Sequence, residues 1–258
     1  MELAGTSVLV TGGSGGLGAA AVRRFHAAGA HVVIADLSGE AAEKTAADLG
    51  ERAIPVATDV LDSASVDRAL AAAQAAAPLR TVLTAHGAAG GKAQRIVGKT
   101  GEAAPLEAFE SMIAGYLTGT YNVLRLAAAS MAGNEPVDED GLRGAVITTA
   151  SIAAYEGQIG LAPYASAKGG VVSLTLVAAR DLGAVGVRVC CIAPGTMRTA
   201  TMESVGEEAL AAFGKAVPFP KRLGSPDEYA ALAQHIAEND YLNGEVIRLD
   251  GAQRFGPR

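Results

Sequence analysis

The stretch Thr11-Gly12-Gly13-Ser14-Gly15-Gly16-Leu17-Gly18 restricts what this chain can become more than any other feature. It follows Ser7–Thr11, a β-branched run that reads as a strand, and it opens Gly16–Ala28, which reads as a helix. A strand that turns into a helix through glycines sets free N–H groups and the positive end of a helix dipole beside backbone that a pyrophosphate can approach. A glycine-rich turn with no ligand is the alternative, but it needs no such strand–turn–helix setting.

The alternation continues. Strands are expected at His31–Ala35, Ile54–Ala57, Thr81–Ala85, Ala145–Thr149, Val187–Ile192 and Glu245–Leu249. Helices are expected at Gly39–Leu49, Ser63–Ala77, Leu106–Met131, Pro163–Leu182 and Asp227–Glu238. This order predicts an α/β protein, a doubly wound Rossmann fold whose seven-stranded parallel sheet carries helices on both faces. No repeat or linker divides it, so residues 1–258 read as one domain. Apolar residues make up 50% and charged residues 19%, which is core enough for a large domain and too little charge for disorder. Asn134–Arg143 is a polar insertion expected on the surface. Thr196–Lys221, irregular apart from one short Ala-rich helix, lies beyond the carboxyl end of the sixth strand, where a ligand lid is expected.

A net charge of −6 without basic runs argues against a nucleic-acid partner. Leu3–Val22 carries no charge over the length of a membrane span, but it holds six glycines and follows Glu2. It is expected to be neither signal peptide nor membrane helix, and no membrane partner is expected. Cys190 and Cys191 are adjacent, so on a strand they point to opposite faces and read as reduced core thiols, which fits a cytoplasmic location.

Asp36 ends the second strand, 18 residues after Gly18. A carboxylate there accepts hydrogen bonds from both ribose hydroxyls and repels a 2′-phosphate. Neither the glycine loop nor the residues directly after Asp36 supply an Arg or Lys, so the cofactor is expected to be NAD rather than NADP. A helix cap or a solvated strand end is the other common use of such an Asp. Gly12, Ser14, Gly16, Leu17, Gly18, Asp36 and Leu37 are therefore candidate cofactor contacts. Asp59 and Val60, closing the third strand, are candidates for the adenine end, although capping by Asp62 or Ser63 explains the local polarity equally well.

Ser151 follows the fifth strand, and Tyr164 and Lys168 stand four apart early in the next helix, on one face of it. A tyrosine and a lysine at this spacing are often mere surface neighbours. With Ser151 13 residues upstream and a nucleotide loop before it, they read as a catalytic set, and no metal is needed. A free phenol, with a pKa of about 10, is a poor base at neutral pH, and a nearby ammonium is expected to lower that value. Tyr164 then passes a proton to or from a substrate oxygen, which Ser151 also holds, as hydride moves to or from a nicotinamide.

These motifs resemble the short-chain dehydrogenase/reductase superfamily: Thr-Gly-x-x-x-Gly-x-Gly at 11–18, Ser151, Tyr-x-x-x-Lys at 164–168, and Pro194-Gly195 after the sixth strand. The resemblance covers nearly the whole chain and implies further cofactor contacts from Gly87, Tyr164, Lys168, Pro194, Gly195 and Thr196. Three stretches, 149–160, 217–224 and 242–251, are similar to the short-chain, type 2 3-hydroxyacyl-CoA dehydrogenases. That likeness implies NAD-linked oxidation of 3-hydroxyacyl-CoA by a homotetramer. Steroid or other small secondary-alcohol oxidation, and a low-turnover NAD-binding sensor or scaffold, are the rival readings. Independently, Val171–Ala179 is apolar all round, as for a helix buried on both faces by its sheet and a partner subunit. Two positions depart from the family pattern. Thr84-Ala85-His86-Gly87 replaces Asn-x-Ala-Gly, and Tyr116 replaces an Asn that the family uses to hold a helix bend and a relay water. His86 is expected to be solvated or backbone-bonded. The Tyr116 ring is expected to pack into the helix interface, with a hydroxyl reaching toward Lys168 as the alternative.

Overall fold

The computed structural model describes residues 1–87, 93–204 and 206–257. Its strands are β1 (Ser7–Thr11), β2 (His31–Asp36), β3 (Ala53–Ala57), β4 (Leu79–Thr84), β5 (Gly144–Thr149), β6 (Val187–Pro194) and β7 (Val246–Leu249). They form one parallel sheet in the order β3-β2-β1-β4-β5-β6-β7. The chain winds outward from β1 to β3 and then crosses to β4. The crevice beyond the carboxyl ends of β1 and β4 is therefore the topological switch point, where open α/β sheets bind ligands.

The helices are α1 (Gly16–Ala27), α2 (Gly39–Ala47), α3 (Ser63–Ala76), α4 (Leu106–Met112), α5 (Gly119–Ala132), α6 (Ala162–Leu182), α7 (Ala200–Glu203), α8 (Glu207–Lys215) and α9 (Pro226–Glu238). One face of the sheet is covered by α1, α2 and α9 around Phe25, Ile34 and Ile236. The other is covered by α3, α5 and α6 around Leu9, Val82 and Met131. Cover on both faces is why β1, β4, β5 and β6 are buried along their whole length, and why their sequences run apolar instead of alternating. Ser225 starts α9 with a reciprocal capping box to Glu228.

Two expectations change. The helix read as continuous over Leu106–Met131 is broken into α4, a π-helical turn at Ile113–Thr118, and α5. A π turn adds one residue to the helical repeat, and an apolar pattern does not register that. The segment after β6 holds two helices, α7 and α8, where one was expected; Thr199 caps the first through the Met202 N–H. In α6, Val171, Thr175, Ala178 and Ala179 are buried against the sheet, as expected for the face that the chain itself covers, and Leu176 and Val177 on the other face are 46% and 67% exposed. Of the insertion expected on the surface at Asn134–Arg143, residues 135–140 are exposed, whereas Leu142 is buried and its N–H donates to Asp138. Cys190 and Cys191 are buried free thiols. Among the described residues, no helix is long and apolar enough to cross a membrane.

Candidate active site

Glycine is required twice in the loop between β1 and α1. A Cβ on Gly18 would lie 2.0 Å from the Gly12 carbonyl oxygen, so only glycine lets α1 start this close to the strand. Gly12 itself sits at φ +64°, and a Cβ there would come within 2.6 Å of the His86 Cα, where the loop meets the end of β4. Asp36 is clamped to this loop: one carboxylate oxygen accepts the Ser14 N–H at 3.0 Å and the other the Ser38 N–H at 3.1 Å. The Ser14 hydroxyl is buried and has no partner among the described residues.

A cleft of about 440 Å³ opens here. Gly12, Asp36, Leu37, Asp59, Val60 and Gly87 all line it, so the structure gathers these six candidates at one place. Asp59 also accepts from Leu61 N–H, and Asp62 caps α3. Gly16 and Leu17 lie outside the cleft lining. Gly16 abuts Thr199 of the segment after β6, and Leu17 packs on the core. Pro194, Gly195 and Thr196 stand at the end of β6, with Thr196 facing a separate cavity of about 220 Å³.

Ser151, Tyr164 and Lys168 come together at the end of β5. Ser151 caps the 3₁₀ turn Ile152–Ala154, accepting from the Ala153 N–H at 3.1 Å, and it stands near enough to the Tyr164 phenol to favour its ionised form. Lys168, on the second turn of α6, is buried and donates to the Thr149 carbonyl at 2.7 Å. The Thr149 hydroxyl shares a 2.6 Å hydrogen bond with Tyr229 of α9. Tyr164 also lines an apolar cavity of about 450 Å³ with Ile96, Leu106, Phe109, Met112 and Leu161.

The electrostatics correct the expected role of the lysine. Burial pushes the Tyr164 phenol up to about 12, against a smaller lowering by Ser151. Lys168, in turn, is brought down to about 8 by its own burial. The ammonium points to the Thr149 carbonyl and lies 5.9 Å from the Tyr164 ring centre, so desolvation outweighs its pull on the phenol. His86 is half-buried and lines the same cleft as Gly12 and Asp36. Its Nδ1 lies 2.6 Å from the Thr11 hydroxyl and its Nε2 3.5 Å from that of Thr120. Burial, together with the Lys168 charge, holds it down to about 3, so it is neutral at ordinary pH. Tyr116, in the π turn, is packed, but against the candidate catalytic groups. Its ring meets that of Tyr164 edge to face at 5.2 Å, and Lys168 Nζ stands 4.3 Å from its centre.

Several supporting residues carry no local sequence signal. Gln253, 2% exposed, accepts from the Thr196 N–H at 3.0 Å. Arg248 of β7 makes a two-pronged pair with Glu156 at 2.7 and 2.9 Å, tying the segment after Ser151 to the far edge of the sheet. Only their distant partners give these residues meaning.

A family model described as short chain dehydrogenase matches residues 6–210. The chain is 44% identical to a human 3-hydroxyacyl-CoA dehydrogenase type-2 over 257 residues, spanning 98% of this chain and 97% of that protein. Identity to the Drosophila melanogaster protein of the same name is 43%, over 96% and 97%. A crystal structure of 3-hydroxyacyl-CoA dehydrogenase type-2 from Mycobacterium avium superposes with a TM-score of 0.96 at 56% identity, covering 98% of each chain. A 3-ketoacyl-(acyl-carrier-protein) reductase from Brucella melitensis, crystallised with NADH, superposes at 0.83 with 26% identity, over 98% of this chain and all of that one.

Proposed function

The chain belongs to the short-chain dehydrogenase family and is an oxidoreductase of CH–OH donors, and from that premise we propose that it interconverts 3-hydroxyacyl-CoA and 3-ketoacyl-CoA with NAD(H). The observation that carries this reading is the meeting of Ser151, Tyr164 and Lys168 beside an apolar cavity, in a chain this similar to type-2 3-hydroxyacyl-CoA dehydrogenases.

The residues present fit the dinucleotide. Glycines leave room where side chains would collide, a buried Ser14 hydroxyl has no partner among the described residues, and the Asp36 carboxylate is fixed at the cleft edge. When bound, NAD supplies the hydride acceptor and NADH the donor. Gly12, Ser14, Asp36, Leu37, Asp59, Val60 and Gly87 would hold it, and the Asp36 carboxylate favours NAD by repelling a 2′-phosphate. The remaining chemistry belongs to the protein. Tyr164 gives a proton to the ketone oxygen during reduction or takes it from the alcohol during oxidation. Ser151 holds that oxygen, and Lys168, donating to the Thr149 carbonyl, keeps a positive charge near the Tyr164 ring. The apolar cavity at Ile96, Leu106 and Phe109 receives the acyl chain, and residues 196–221, rooted against Gly16 through Thr199, close over the substrate. Leu176 and Val177 are covered by partner subunits in a homotetramer, and two reduced thiols suit a cytoplasmic setting.

The test is a substrate panel followed by NADH absorbance. Acetoacetyl-CoA is expected to be reduced faster than free acetoacetate, with part of the gain in kcat because remote binding energy is used in the transition state. Turnover of steroid alcohols with none on any acyl-CoA would move the substrate assignment away from thioesters.

A further inference from the structure

We propose that Tyr116 is a positioning residue for the proton-transfer pair, its ring holding the Lys168 ammonium against its face while packing edge to face with Tyr164. The roles of Tyr164 and Lys168 rest on the reading above; the placement of Tyr116 does not. Three elements converge on it. The π turn directs residue 116 toward α6, and α6 comes close because Gly170 leaves no room for a Cβ beside Leu117, whose nearest atom would be 2.5 Å away. From the end of β4, Gly87 approaches the Tyr116 hydroxyl, to which a Cβ there would stand at 3.4 Å. Lys168 Nζ is thus held between the Thr149 carbonyl at 2.7 Å and the Tyr116 ring at 4.3 Å. A buried ammonium needs compensation, and an aromatic face supplies it here, where no carboxylate among the described residues pairs with Lys168.

The other groups facing this pair are accounted for. His86, beyond β4, is neutral, and the Cys191 thiol on β6 is pushed up by burial, so neither carries charge near neutral pH. Ser151 offers an uncharged hydroxyl. Among these neighbours, the Tyr116 ring is the feature placed to favour the charged form of Lys168 beside the Thr149 carbonyl. Plain space-filling is the competing explanation. It predicts that any side chain of similar size would serve, and it gives the ring's electrons no part.

The experiment is a pH titration of Lys168 by carbon NMR of protein labelled at lysine Cε, with the resonance assigned by its loss in Lys168→Met. Phenylalanine carrying zero, one, two or three ring fluorines is placed at position 116, which keeps the shape while weakening the ring face step by step. The Lys168 midpoint is expected near 8 in the wild type, close to that in Tyr116→Phe, and lower with each fluorine. In Tyr116→Leu it is expected to fall by roughly 0.5–1.5 pH units, the proton-affinity equivalent of a partly desolvated cation–π contact. The same Leu variant should lose about 10-fold in kcat for acetoacetyl-CoA with NADH while KM for the thioester stays within about 2-fold, as for a group felt mainly in the transition state. A midpoint that ignores fluorination would overturn the proposal, as would one displaced as far by Phe as by Leu. If Tyr116→Leu does not fold, the fluorine series alone decides. If the wild type turns over no acyl-CoA, the substrate reading fails, and the lysine titration still decides whether the Tyr116 ring holds the ammonium.

Discussion

Because burial holds the Tyr164 phenol up to about 12, the two directions of the proposed reaction should differ sharply in pH dependence. Reduction needs the protonated phenol. That form is essentially complete from about pH 6 to 8, so kcat/KM for 3-ketoacyl-CoA is expected to be flat there. Oxidation needs the phenolate. Its fraction is roughly 10⁻⁵ at pH 7, five units below the midpoint, and it grows about tenfold per pH unit. Between about pH 6 and 8, kcat/KM for 3-hydroxyacyl-CoA should therefore climb by about two orders of magnitude. Above 8 the climb should slacken. Lys168, whose midpoint is lowered to about 8, loses its proton there, and with it the positive charge that favours the phenolate. The assay is initial-rate kinetics in both directions at constant ionic strength. An oxidation profile flat from about pH 6 to 8 would rule out a phenol held this high as the base, and so would the same rising limb in Tyr164→Phe, which is expected to lose at least about 10²-fold in turnover.

Other expectations follow from single contacts. Asp36→Ala removes the carboxylate at the cleft edge and should narrow the gap between NAD and NADP affinity, measured by titrating both cofactors; an unchanged gap would place discrimination elsewhere. Tyr229→Phe leaves the buried Thr149 hydroxyl without its partner at a cost of about 1–3 kcal/mol, so calorimetry should show Tm down by about 3–10 °C; an unmoved Tm would mean the hydroxyl finds another partner. Gly18→Ala forces a Cβ to 2.0 Å from a backbone carbonyl, and NADH binding, read by calorimetric titration, should weaken by at least about tenfold; normal affinity would show that the loop yields.

Features defined by local chemistry are legible in the sequence. The glycine loop, Asp36 and the Tyr164–Lys168 pair each announce themselves within a few residues, and the β/α alternation sets the sheet around them. What escapes depends on distance or on one-residue detail. Whether a lysine lowers a tyrosine's pKa is a matter of where Nζ points, and here a backbone carbonyl 19 residues back in the chain takes it. His86 reads as a loop residue because nothing near it in sequence says that hydroxyls from β1 and α5 will meet its two ring nitrogens. The π turn hides in an unbroken apolar pattern, yet it decides where Tyr116 sits. Gln253 and Arg248 act on partners 57 and 92 positions away, beyond any local periodicity.

The neighbouring thiols on β6 give the molecule a pair of internal clocks. Cys190 looks into the layer beneath α1 and α9, with Phe25 and Ile236, whereas Cys191 looks into the small cluster beneath α6, with Ala150 and Val171. Both are fully enclosed, so an alkylating reagent reaches each only when its own layer lifts. Two residues adjacent in sequence thus time two different breathing motions. Their relative labelling rates say whether the layer of α1 and α9 opens together with the layer that carries Tyr164 and Lys168, or independently of it.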